Sequence, residues 1–257
     1  EHQNIWRSIL KKMILCEGDS WTSGDMINPK LDYNFVNHPD NDSYRLPKVW
    51  PYKLGKLLKT NVVNNAAAGS SNDAIVRRTT NKVLELLESN KAEDLFVIVG
   101  WSSPERKDFY QKENQWVTIY PAQLDKRDDE VLNNFTKVYV EHFWNEKEYI
   151  SRFINQNLYL HYFLKQHNVK HYFFESFWEQ KNSDMYVDND IVDVISKDET
   201  NTAKHFLKIK DEIYKPISFR RFIMRNFSLH NAKYFNEHHP TEKSHQLWAE
   251  ELYKDLV

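Results

Sequence analysis

Four short apolar runs, separated by segments of helical periodicity, constrain this sequence more than any other feature. They are Met13 to Glu17, Asn61 to Ala68, Asp94 to Val99 and Val169 to Glu175. Each is nearly continuous instead of alternating apolar with polar, the pattern of a strand covered on both faces. Between them, Trp50, Leu54, Leu57 and Leu58 recur at helical spacing in WPYKLGKLLK. The stretch DAIVRRTTNKVLELLES does the same through positions 75, 76, 83, 86 and 87, with Ser71 or Asn72 as its cap. A long helical pattern runs from about Glu146 to His167. Thr241 to Leu256 is amphipathic, with Leu247, Trp248, Leu252 and Leu256 facing in. Ser103-Pro104-Glu105 reads as a further helix start, with proline at its favoured first position. Strands alternating with helices predict an α/β fold, a three-layer α/β/α sandwich about a mainly parallel sheet.

A chain of 257 residues can bury a sizeable core within one domain. Three segments, about 26–46, 111–145 and 176–235, are polar, aromatic-rich and irregular, with helical patches such as ISFRRFIMRN. They read as long insertions on one scaffold, so a single domain over 1–257 is expected. The 35 basic and 37 acidic residues nearly cancel, which removes any general pull toward nucleic acid or membrane. Basic runs such as Lys204 to Lys215 are interleaved with acids and read as solvated helix faces. No apolar run approaches the roughly 20 residues that span a bilayer. The opening EHQNIWRSILKK is too polar for a signal peptide and leaves localisation unknown and nearly unconstrained; a soluble chain, cytoplasmic or virion-associated, fits it. The one cysteine, Cys16, excludes an intrachain disulfide and a CxxC zinc site. It reads as a small buried hydrophobe.

In open parallel sheets the functional crevice lies outside the carboxyl ends of the strands. The unusual residues of this chain gather at those ends: GDSW after the first strand, AGSSND after the second, GWSSPER after the third. NEHHPTEKSH precedes the last helix. A serine, a glycine turn, a small-polar turn and a histidine thereby converge on one edge, as nucleophilic serine catalysis requires. Ser20 is either that nucleophile or a turn serine, and Asp19 shapes its turn by accepting backbone N–H groups. Glu105 and Arg106 form a capping pair, or Arg106 holds a substrate carboxylate or sugar hydroxyls. Trp21 and Trp101 are either core residues or the walls of an acyl or sugar pocket. His238 and His245 read as exposed or helix-packing residues.

These ordered blocks resemble the SGNH/GDSL hydrolase superfamily, a flavodoxin-like three-layer fold of esterases, lipases and carbohydrate deacetylases. Gly18-Asp19-Ser20 is similar to the first block, whose serine is the nucleophile. Gly69 resembles the second-block glycine, whose N–H binds the oxyanion. His239-Pro240, with His245 and Ala249 beyond, resembles the last block, whose first histidine is the general base. Gly100 to Arg106 is similar to the G-W-[ST]-S-P-E-R third block of a tailed-phage-like subgroup. Two positions depart from the family pattern. Ser102 stands where a third-block asparagine donates to the oxyanion, a loss that typically costs about 10²–10³ in kcat. Ser102 itself or Asn72 would then donate. Asn236 stands where an aspartate orients the histidine, and Glu237 is the acidic alternative. The resemblance implies a serine-dependent acyl or acetyl esterase, including carbohydrate O-deacetylation, working without metal or organic cofactor. Its ligand would be an ester or acetylated glycan, with no nucleic acid or membrane partner. The alternative is a catalytically impaired structural or glycan-binding module, with virion or homo-oligomer contacts.

Overall fold

The computed structural model describes residues 12–28, 39–126, 128–178, 180–182, 185–187, 191–227, 233–236 and 239–257. In chain order, β1 (Met13–Gly18) leads into the single turn α1 (Ser20–Ser23), α2 (Pro39–Arg45) and α3 (Trp50–Leu58). Next come β2 (Asn61–Asn64), α4 (Asn72–Leu87), β3 (Leu95–Trp101) and the strands β4 (Lys107–Tyr110) and β5 (Trp116–Ile119). They are followed by α5 (Glu130–His142), α6 (Glu146–Gln166), β6 (Lys170–Glu175), β7 (Gln180–Asn182) and β8 (Met185–Val187). The chain continues through α7 (Ile191–Ile195), α8 (Asn201–Ile213), α9 (Phe219–Asn226), β9 (Phe235–Asn236), β10 (His239–Pro240) and α10 (Glu242–Leu256).

The central sheet has the order β2-β1-β3-β6, and every pair in it is parallel. Why the strands lack alternation is visible in β3, all seven residues of which are buried. Leu95, Val97, Val99 and Trp101 join one core with α4, α6 and α8, through Ile75, Val83, Phe153, Leu160 and Phe206. Phe96 and Ile98 join the other, with Trp50 and Leu54 of α3, Phe219 of α9 and Trp248 and Leu252 of α10. Helices thus cover both faces, giving the expected three-layer α/β/α architecture. Among the described residues, no helix is long and apolar enough to cross a membrane.

The structure departs from the sequence reading at three places. Ser103-Pro104-Glu105 opens no helix; it forms a turn into the antiparallel hairpin β4–β5. That hairpin packs Val117 and Ile119 against Tyr139 of α5, so the segment finds its apolar partners in a third, small core. The second strand stops at Asn64, and residues 65–70 form an irregular turn. Finally, α8 and α9 supply buried residues to the two main cores and so belong to the layers themselves. Lys215, at the end of the supposedly solvated run, is only 4% exposed, its ammonium bound by Asp255 and Glu251.

Candidate active site

Two glycines set the geometry where β1 and β3 end. Gly18 and Gly100 are register partners. A Cβ on Gly18 would sit 2.3 Å from Thr22 Oγ1 and 2.8 Å from the Gly100 carbonyl oxygen, and one on Gly100 would meet Thr22, Phe174 and Ser176. Their missing side chains let Thr22 fold back against the sheet, which draws the following turn tight. Asp19 caps that turn, its carboxylate accepting the Trp21 N–H at 3.0 Å, and Gly24 closes it in the left-handed region at φ 89°. Ser20 is the first residue of this helical turn.

The histidine arrives from the other end of the chain. β10 pairs antiparallel with β9, and the Tyr234 carbonyl accepts both the Thr241 N–H (2.9 Å) and the Ser244 hydroxyl (2.6 Å). The short hairpin is therefore braced on the start of α10. It brings His239 Nε2 to 3.2 Å from Ser20 Oγ, across 219 residues of sequence. Ser20 is 6% exposed and His239 is half-buried. Asn236 is the β-ladder partner of His239, and Glu237 lies outside the described residues. His245 has a separate task. Its Nδ1 accepts the Trp50 N–H at 3.2 Å, capping α3, and burial pushes it down to about 3, with Lys53 and His239 acting in the same direction.

Gly69 lies exposed in the second turn at φ 70°, with open space where a Cβ would be. Glycine is favoured there by backbone conformation and not by crowding. Ser71 takes the α4 cap, accepting the Ala74 N–H at 3.1 Å. That frees the side chain of Asn72, which accepts the Ser102 N–H at 2.8 Å and donates to the Ser102 carbonyl at 3.0 Å. The buried Asn72 amide thereby fastens the end of β3 to the start of α4. The Ser102 hydroxyl is wholly buried and has no hydrogen-bond partner among the described residues.

Trp21 and Trp101 both pack into the core. Trp101 is fully buried against Phe153 and Phe173, and Trp21 is 3% exposed among Phe177, Phe219 and Phe235. Arg106 is half-buried over the rings of Tyr120 and Phe177, and its Nη1 donates to the Ser70 carbonyl at 3.2 Å. No helix starts at 103–106, so Arg106 caps none, and its positive charge opposes the upward push of burial on the Asp19 carboxyl.

Three carboxyls close to the Ser20 turn are shifted upward by burial. Glu17 is raised to about 7 against the pull of Arg78, and Asp19 to about 6 against Arg106. Asp25 is raised to about 6 despite the Ser23 hydroxyl on its Oδ1. Sequence reasoning passed over Glu17 and Arg78, although an acid closing an otherwise apolar strand was the available signal. A groove of about 750 Å³ lies among α4, the β4–β5 hairpin and α6, lined by neither Ser20 nor His239. Its charges are paired, Arg77 with Asp108 and Lys107 with Glu148, both at 2.7 Å, as the seam between hairpin and helices requires.

Residues 31–257 match the model of a family of unknown function, DUF6071. No curated protein matches the sequence. Among solved structures, an acetyl xylan esterase from the rumen bacterium Butyrivibrio proteoclasticus is similar at TM-score 0.53 and 12% identity, over 95% of this chain and 63% of that one. An esterase from Pseudoalteromonas sp. aligns at TM-score 0.48 and 12% identity, covering 96% and 97%. A member of the lipolytic protein G-D-S-L family from Veillonella parvula aligns at 0.47 and 13%, covering 94% and 96%. At such identities the likeness is one of fold.

Proposed function

The chain belongs to DUF6071, a family of unknown function, and we propose that it is a serine-dependent ester hydrolase of the SGNH type. The observation that carries the reading is the 3.2 Å approach of His239 Nε2 to Ser20 Oγ at the carboxyl edge of a parallel sheet. Ser20 attacks the ester carbonyl while His239 takes its proton. The backbone N–H groups of Ser20 and Gly69 receive the oxyanion, with Ser102 or Asn72 as the third donor. His239 then returns the proton to the departing alcohol, leaving an acyl-enzyme. Water, deprotonated by the same imidazole, attacks the acyl carbonyl, and the imidazolium returns that proton to Ser20 Oγ as the bond to the acid breaks. Glu237 or Asn236 orients the ring; an amide in that role costs up to about 10⁴ in a related triad by holding the wrong tautomer. Substrates are small acyl esters, O-acetyl groups on polysaccharides included, with Arg106 holding the polar part beyond the acyl group. An acetyl xylan esterase of similar fold and the aromatic-rich segments of this chain support that choice.

A second reading, a catalytically impaired structural or glycan-binding module such as a virion component, has its own support. Ser102 is wholly buried, and Asn72 is engaged with the Ser102 backbone, so neither side chain is exposed to an oxyanion.

Labelling with a fluorophosphonate probe, read by mass spectrometry, separates the two. The hydrolase reading expects modification at Ser20 that disappears in Ser20→Ala and falls at least 10³-fold in His239→Ala. A folded wild-type protein left unlabelled, beside a serine hydrolase control that reacts, would favour the second.

A further inference from the structure

The β1–β2 ladder ends at Cys16 and Asn64, before either of the two turns that receive the oxyanion in the proposed reaction. Past that point the nucleophile turn and the 65–70 turn share only two backbone bonds, Asn65 N–H to the Cys16 carbonyl and Ala67 N–H to the Gly18 carbonyl. Something other than a sheet must hold their N–H groups in register.

A buried polar network occupies the gap. Glu17 is fully buried, and its Oε1 accepts the Gly18 N–H at 3.0 Å and Arg78 Nη2 at 2.5 Å. Its Oε2 accepts Asn65 Nδ2 at 2.7 Å. Arg78 reaches from α4 to both turns, donating through Nη2 to the Gly18 carbonyl at 3.0 Å and through Nη1 to the Ser70 hydroxyl at 2.9 Å. That hydroxyl in turn donates to the Ala67 carbonyl at 2.6 Å, spanning Gly69. Both peptide groups of Gly18 are therefore held, and the turn carrying Gly69 is fixed to the same guanidinium. A buried ion pair adds little net stability over a well-packed apolar pair. Its planar fork does fix geometry, which an apolar pair cannot.

We infer that Glu17 and Arg78 are positioning residues, a clamp that sets the Gly69 turn against Ser20 so that their N–H groups converge on one oxygen. The inference rests on the hydrolase reading above. Removing one charge alone risks unfolding, so the informative variants are Ser70→Ala, which removes the Arg78 link to the second turn together with the Ser70–Ala67 bond inside it, and the uncharged pair Glu17→Gln/Arg78→Met, which removes the link and keeps that inner bond.

Two readouts test the clamp. Amide hydrogen exchange at residues 66–70 should quicken at least 10-fold in both variants while β3 is unchanged. The limiting rate of fluorophosphonate labelling should fall 10- to 100-fold at an unchanged half-saturating probe concentration, with Arg78→Lys recovering little, since an ammonium cannot span three acceptors. Variants that label like wild type, or exchange like it, overturn the clamp and leave the hydrolase reading standing. A wild type that never labels overturns the hydrolase reading, and the exchange readout still decides whether the clamp exists.

Discussion

Burial raises several carboxyls of this protein and lowers several imidazoles, and the sign of each shift fixes a pH window. His171 is lowered from 6.5 to about 4, chiefly by burial, with the neighbouring His161 acting the same way; the two rings meet at 2.8 Å. Its contribution to stability is complete above 6.5, where folded and unfolded chains both leave it neutral. It is lost as pH falls toward 4, because the unfolded chain alone takes up the proton. Glu17, raised from 4.5 to about 7, behaves oppositely: its contribution is complete below 4.5 and lost as pH rises through 7. Urea denaturation at pH 7 and pH 4.5 separates the histidine. His171→Gln should lose about 2–3 kcal/mol less than wild type over that interval. Equal losses would mean that His171 titrates alike in both states.

At the scale of elements, the join between strand β3 and helix α4 depends on one side chain. Asn72 satisfies the N–H and the C=O of Ser102, both inside the protein, where leaving either unpaired costs about 1–3 kcal/mol. Asn72→Ala is therefore expected to destabilise by about 2–4 kcal/mol, measured by chemical denaturation. A loss below about 0.5 kcal/mol would show that water or relaxation replaces the amide. Asn72 at a helix start reads from sequence as a cap, and the actual cap is Ser71. The distinction was invisible locally because the partner of Asn72 lies 30 residues away. The turn after Pro104 misled for a related reason: proline suits a helix start and a turn equally, and the apolar partners of β4–β5 lie in α5.

Across the whole molecule, the sheet is shared by two cores, and β3 alternates its side chains between them. Leu160 belongs to the core under α6 and Leu252 to the core under α10. Each Leu→Ala change should cost about 2–5 kcal/mol. Because both layers lean on the same four strands, each variant should unfold in one transition, with near-UV and far-UV circular dichroism coincident. Separate midpoints would mean that a helical layer melts away from an intact sheet.

The amino-acid sequence by itself determined the four strands of the central sheet, the helices α3, α4, α6 and α10 and the turn presenting Ser20, because these follow from local spacing of apolar residues and from glycine and cap chemistry. Tertiary packing decided the rest. It brought His239 to Ser20, buried Trp21 and Trp101 as core, drew Lys215 inside and placed Arg78 on Glu17. Each of those outcomes depends on a partner far along the chain, and an isolated residue carries no mark of a neighbour that only the closed fold supplies.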